Sequence, residues 1–282
     1  MINYVQKWAP PLLITSTMSN PRLPAELLDH VVDLLHDAEH TLRNCCLVSK
    51  AWIPRTRKHL FATITFDTEK DLQPWKEAFA DPSTSPARFT KTLVVGCSHI
   101  VTDTYAEPGG WITGFSSVVH LEVVSRAFSA NSTVSFIPFH GFSPVIKSLR
   151  VDIALLPPLQ MLNFILSSPL LEDLTVVSPY RVLTDESGDS DVGLSSVVRA
   201  SGLPRFTGSL SLRMKGGMHS VARGLLSLPG GIHFRNLTLT WCHKKDPLSV
   251  TALVECCSHT LESLAISRDV FCTSIRHLYL HQ

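Results

Sequence analysis

An apolar pair separated by one residue returns along this chain at a nearly constant interval, and no other feature constrains the fold as strongly. The pairs are Leu93/Val95, Leu121/Val123, Leu149/Val151, Leu174/Val176, Leu210/Leu212, Leu237/Leu239, Leu264/Ile266 and Leu278/Leu280, spaced by 28, 28, 25, 36, 27, 27 and 14 residues. An apolar residue stands three positions before the first leucine in six cases (Val118, Ile146, Leu171, Phe234, Leu261, Ile275), with Thr90 and Thr207 as exceptions. Alternation puts both members of a pair on one face of a strand, and an interval of this length leaves room for a return segment between strands. The pattern predicts stacked strands, an irregular α/β solenoid over residues 63–282 whose leucines are core residues without chemistry.

Four intervening segments carry apolar residues three or four apart and read as helices: 156–168, 193–200, 218–228 and 247–257. Residues 102–117 and 126–144 are rich in Gly, Pro, Ser and Phe and read as loops. The repeating core resembles that of a leucine-rich repeat. It departs from the standard repeat five residues after the first leucine, where only Cys242 supplies the usual Asn or Cys.

Ahead of the array lies a different pattern, LPAELLDHVVDLLHDAEHTLRNCCLVSKAW, from Leu23 to Trp52. A helix should start near Pro24, since the first helical N–H groups have no intrahelical partner to lose. Glu26, Asp29, His30, Asp33 and Asp37 mark its polar side. Leu27, Leu28, Val31, Val32, Leu34 and Leu35 cover an arc too wide for one packing contact, which implies a second surface to cover. Pro54 predicts a short or distorted first turn in a third helix capped by Ser49, and FATITF at 61–66 reads as a strand. Arg55 to Lys58 reads as that helix's solvated face.

This stretch resembles the F-box family, and closest to it is the fungal group with degenerate leucine-rich-repeat tails. The matching positions are Leu23, Pro24, Leu27, Val31, Leu34, Leu42, Cys45, Leu47, Val48 and Trp52, within roughly 40 of 282 residues. The resemblance implies a three-helix F-box over 21–62 that binds the Skp adaptor, and through it cullin, in a Skp-cullin-F-box ubiquitin ligase. The remainder of the chain would present a protein substrate. Residues 1–20 are expected to be a disordered leader.

Composition excludes several other classes. A formal charge of +1 on 282 residues gives no electrostatic case for nucleic acid. Seven cysteines without C-x-x-C spacing fit reduced thiols, and no apolar run near the N-terminus is long enough for a membrane span, so a cytoplasmic or nuclear chain is expected. The N-x-T triplets at Asn131 and Asn236 then carry little meaning. Glycine pairs lack phosphate-loop spacing, Gly-x-Ser at 114–116 and 141–143 lacks a second glycine, and Cys242, His243, Cys256, Cys257 and His259 do not match a zinc module. Neither catalysis, cofactor nor metal is expected.

Two functional readings remain. In the first, Glu122, Arg150, Arg213, Thr238 and Trp241, between and just beyond the strand leucines, are candidate substrate contacts. In the second, the helices merely cap a non-catalytic repeat scaffold, which would bury Leu23, Pro24 and Leu27 within the chain. The acidic segment 184–191 reads as an exposed loop. The chain stops two residues after Leu280 with no capping segment, so its solenoid is expected to be shortened or covered by a partner.

Overall fold

The computed structural model describes residues 24–81, 83–96, 111–124, 145–152, 162, 165–166, 168–178, 206–214, 218–228, 230–241 and 246–268. Outside them lie the expected leader, Leu23, the loop 126–144 with Asn131, the acidic segment 184–191, the helix expected at 193–200, Cys242, His243 and the pair Leu278/Leu280.

Three short helices come first: α1 (Ala25–Leu34), α2 (Glu39–Val48) and α3 (Ile53–Leu60). Pro24 sits just ahead of α1, and its carbonyl accepts the N–H groups of Leu27 and Leu28 at 3.1 and 3.2 Å. Ser49 caps a 3-10 turn, Lys50–Trp52, by accepting the Ala51 N–H at 3.2 Å. Pro54 then falls in the opening positions of α3, where its missing donor costs nothing. Both α1 and α2 pack on α3. Val32, Leu42, Cys45 and Cys46 point inward, and the Cys46 thiol meets Thr56 Oγ1 at 2.9 Å. Because the Thr56 hydroxyl donates to the Trp52 carbonyl at 2.7 Å, the thiol is the donor in that contact.

Eight parallel strands follow among the described residues: β1 (Thr63–Phe66), β2 (Thr92–Gly96), β3 (His120–Val124), β4 (Ser148–Asp152), β5 (Asp173–Ser178), β6 (Ser209–Met214), β7 (Asn236–Trp241) and β8 (Ser263–Arg268). Each pairs only with its neighbours in sequence, giving a mixed helix-and-strand chain built on one parallel sheet. The register aligns the apolar pairs across the sheet. Ile64, Leu93, Leu121, Leu149, Leu174, Leu210, Leu237 and Leu264 form one row. Phe66, Val95, Val123, Val151, Val176, Leu212, Leu239 and Ile266 form the next. From β2 to β7 none of these side chains is more than 2 % exposed. The sheet thus holds one pair, Ile64/Phe66, ahead of the repeat array.

The apolar rows are covered by Leu72 and Trp75 of α4 (Glu69–Ala78), Phe115, Leu162, Ile165 and Leu166. Val221, Ala222 and Leu225 of α5 (Met218–Leu226) and Val250, Leu253 and Cys257 of α6 (Asp246–Cys257) continue the layer. Between strands the backbone supplies its own ladder. Each of the carbonyls of Ala62, Lys91, Val119, Lys147, Gly208 and Arg235 accepts two consecutive N–H groups from the following turn, as Lys147 does from Glu172 and Asp173 at 2.8 and 2.9 Å. These bonds give the backbone groups at the start of each strand a partner in the preceding turn.

The two exceptions at the position before the leucine resolve differently. Thr90 occupies it, fully buried, and its hydroxyl has no hydrogen-bond partner. At Thr207 the chain shifts by one residue: Phe206 takes the buried place against Phe234, ring centroids 5.2 Å apart, while Thr207 is exposed. That shift puts Phe206 at φ 46°, the left-handed region a bulky residue rarely adopts. Next to it, a Cβ on Gly208 would lie 2.4 Å from Asp173 Oδ1, the atom that accepts the Ser209 N–H at 2.7 Å. Glycine is what lets the turn after the 36-residue interval close onto β5.

Candidate functional site

The first three helices divide their apolar side chains between two surfaces. Along α1, Val32 packs inward with Leu28 and Leu35 half-buried, while Leu27, Val31 and Leu34, spaced four and three apart, are 52, 44 and 69 % exposed. At the end of α2, Leu47 and Val48 are 69 and 70 % exposed. Five large apolar side chains left in water within 22 residues (27–48) mark a surface built to be covered. Fully burying such a side chain from water is worth about 1.5–3 kcal/mol, and covering the part still exposed here recovers roughly half to two-thirds of that. Pro24 is also exposed, Trp52 is half-buried, and Leu42 and Cys45 lie in the interior, where they hold the helices rather than meet a partner. Of the ten positions in the motif, the structure therefore brings six to the surface (Pro24, Leu27, Val31, Leu34, Leu47, Val48), and Leu23 lies outside the described residues.

An ionic clamp fixes how α1 presents its stripe. Asp33 Oδ1 accepts from Arg55 Nε at 2.6 Å and from His59 Nε2 at 2.7 Å, and Asp33 Oδ2 accepts from Arg55 Nη2. The hydrogen bonds from Arg55, then the one from His59, hold the Asp33 carboxyl well below the usual carboxylate range. An ionised carboxylate only accepts, so the His59 ring places its proton on Nε2. This corrects the expectation for the basic cluster: Lys58 is exposed, but Arg55 is committed to Asp33, and Arg57 is half-buried with its Nε unpaired. Sequence separations of 22 and 26 residues hid the clamp, although Arg55 and His59, one helical turn apart on α3, are the signal that could have suggested it.

On the strands, the face opposite the leucines is largely polar. One row runs Thr65, Val94, Glu122, Arg150, Thr175, Ser211, Thr238, Ala265, and the next runs Gly96, Val124, Asp152, Val177, Arg213, Thr240, Ser267. Glu122 and Arg150 face each other across β3 and β4, with Arg150 Nε 3.3 Å from Glu122 Oε1. Arg150, Arg213 and Thr238 are exposed and Glu122 is half-buried. Burial pushes the Asp152 carboxyl up in spite of the nearby Arg150 and Arg213. Trp241 does not share these rows. It stands two residues beyond Leu239, at the register of Met214 and Arg268, because β7 runs on far enough for the alternation to return to the leucine parity.

Cys257 is buried and its thiol is pushed up by burial, whereas the adjacent Cys256 is exposed. Among the described residues no group of three His, Cys, Asp or Glu is placed to hold a metal ion, and no described helix is long and apolar enough to cross a membrane. No protein-family model matches the chain, and comparison with curated proteins finds no match.

Proposed function

We propose that this chain is a non-catalytic substrate receptor of the F-box type. Its first three helices dock through Leu27, Val31, Leu34, Leu47 and Val48 onto the Skp adaptor of a Skp-cullin-F-box ubiquitin ligase. The strands form an irregular solenoid of the leucine-rich-repeat kind, and its polar face holds a protein substrate, with Glu122, Arg150, Arg213 and Thr238 as the residues to test. Catalysis belongs to other subunits. This chain contributes effective concentration, keeping an acceptor lysine near the charged ubiquitin carrier. Such a role places it in the cytoplasm or nucleus.

The observation that carries this reading is the exposed apolar stripe on α1, clamped to α3 by Asp33. The competing role, a cap for the strands without a ligase, needs Pro24 and Leu27 buried within the chain. Both are exposed.

Co-expression with a Skp adaptor, followed by affinity capture, tests the reading. Wild type should be captured. The Leu27→Asp/Leu34→Asp variant should lose at least about tenfold in affinity, or roughly 1.4 kcal/mol. Its circular dichroism and urea midpoint should stay near wild type, because neither side chain is in the core. A folded wild type that captures no adaptor would overturn the reading.

A further inference from the structure

The last described strand is incomplete in a way that fits a second copy of itself. Leu264 and Ile266 continue the two apolar rows, yet they are 43 and 45 % exposed, and no described strand pairs with the outer edge of β8. The edge is also undefended. From Ser263 to Ser267 it carries neither charge nor proline, the devices that normally keep a free strand from pairing.

Its sequence is self-complementary in reverse. Residues 262–268 read Glu-Ser-Leu-Ala-Ile-Ser-Arg, and laid antiparallel on a copy of itself about Ala265 the segment sets Glu262 opposite Arg268, Ser263 opposite Ser267 and Leu264 opposite Ile266. The backbone agrees with that centre. Ser263 N–H turns toward β7, donating to the Arg235 carbonyl at 3.0 Å. Alternation along a parallel ladder then turns Ala265 and Ser267 the same way and leaves the N–H and C=O groups of Leu264 and Ile266 on the edge away from β7. In an antiparallel pair about Ala265 those are the residues that exchange bonds, Leu264 with Ile266 of the other copy, four bonds in all. Glu262 is exposed, and its only ion pair among the described residues is a long one, 3.6 Å to Arg235 of its own chain.

We propose that two copies associate through β8 edge to edge, about a two-fold axis at Ala265, joining their sheets into one. The contact is isologous: each copy supplies a glutamate at one end of the strand and an arginine at the other. The two N-terminal helical units then lie at the far ends of the joined sheet, roughly 75 Å apart at about 4.8 Å per strand.

Sedimentation equilibrium on the full chain reads the association, and a charge swap tests its register. Wild type should be a dimer. Arg268→Glu alone sets carboxylates opposite each other at both ends, Glu262→Arg alone sets guanidinium groups so, and each should weaken association by at least about tenfold. The double variant Glu262→Arg/Arg268→Glu should restore it, which a variant that merely misfolds cannot do. Hydrogen exchange should show the Leu264 and Ile266 amides protected in the dimer and open in the single variants. A dimer indifferent to all three substitutions would place the contact elsewhere, for instance on α1, and overturn the proposal. So would a monomer whose Leu264 and Ile266 amides are protected, since residues 269–282 would then be covering the edge.

Discussion

Thr90 shows how much a single residue's chemistry can depart from its place in a pattern. It fills the buried position that Val118, Ile146, Leu171 and Phe234 fill in other turns, and its hydroxyl is paired with nothing. A buried hydroxyl without a partner keeps its desolvation cost and gains no bond. Thr90→Val keeps the shape and removes the cost, so the urea midpoint should rise by the equivalent of about 1 kcal/mol with an unchanged slope. Asp33 makes the opposite case, a polar residue whose bonds all form. Its carboxyl is depressed in the folded chain relative to an unfolded value of about 3.9, so its contribution to stability is present above that pH and fades as pH falls through and below it. Followed by tryptophan fluorescence, Asp33→Asn should be less stable than wild type near neutrality, and the gap should narrow below about pH 4. Neither behaviour could be read from composition. The threonine was visible as an exception, but whether its hydroxyl found a partner depended on the neighbours that folding brings.

Among the elements, the strands were the most legible. Seven of the eight sequence pairs, from Leu93/Val95 to Leu264/Ile266, coincide with β2 to β8, because strict alternation at a fixed interval leaves few other ways to bury every leucine. The helices at 218–228 and 247–257 were legible from apolar residues three or four apart, and appear as α5 and α6. The ionic clamp between α1 and α3, the one-residue shift at Phe206 and the parity of Trp241 were not legible. Each depends on residues distant in sequence or on how far a strand extends. The outward stripe of α1 was foreseen from an apolar arc too wide for one contact, but that Leu42 and Cys45 turn inward came from the packing of α2 on α3. Burial also sets what each strand position contributes. Leu149→Ala, in the middle of the covered row, should cost about 2–5 kcal/mol. In dilute protein Leu264→Ala, at the half-open end, should cost under about 1 kcal/mol. Equal losses in chemical unfolding would mean that β8 is as well covered as β4.

Across the described residues, large apolar side chains stand exposed at both ends of the strand succession: on the helices that precede β1, and on β8. The middle is closed. That distribution lets the adaptor and self-association proposals fit on one chain without competing for a surface.

The strand order also sets how the protein answers a pull. Because every described strand bonds only to its sequence neighbours, Ala25 and Arg268 belong to elements at opposite ends of the described array. Traction between them bears on one interstrand ladder at a time, so resistance is local and small. Most steps would release one interval of 25 to 28 residues, up to roughly 90 Å of slack. Under the proposed role, a substrate protein tugged away would meet a tether that gives way in instalments instead of a single rupture.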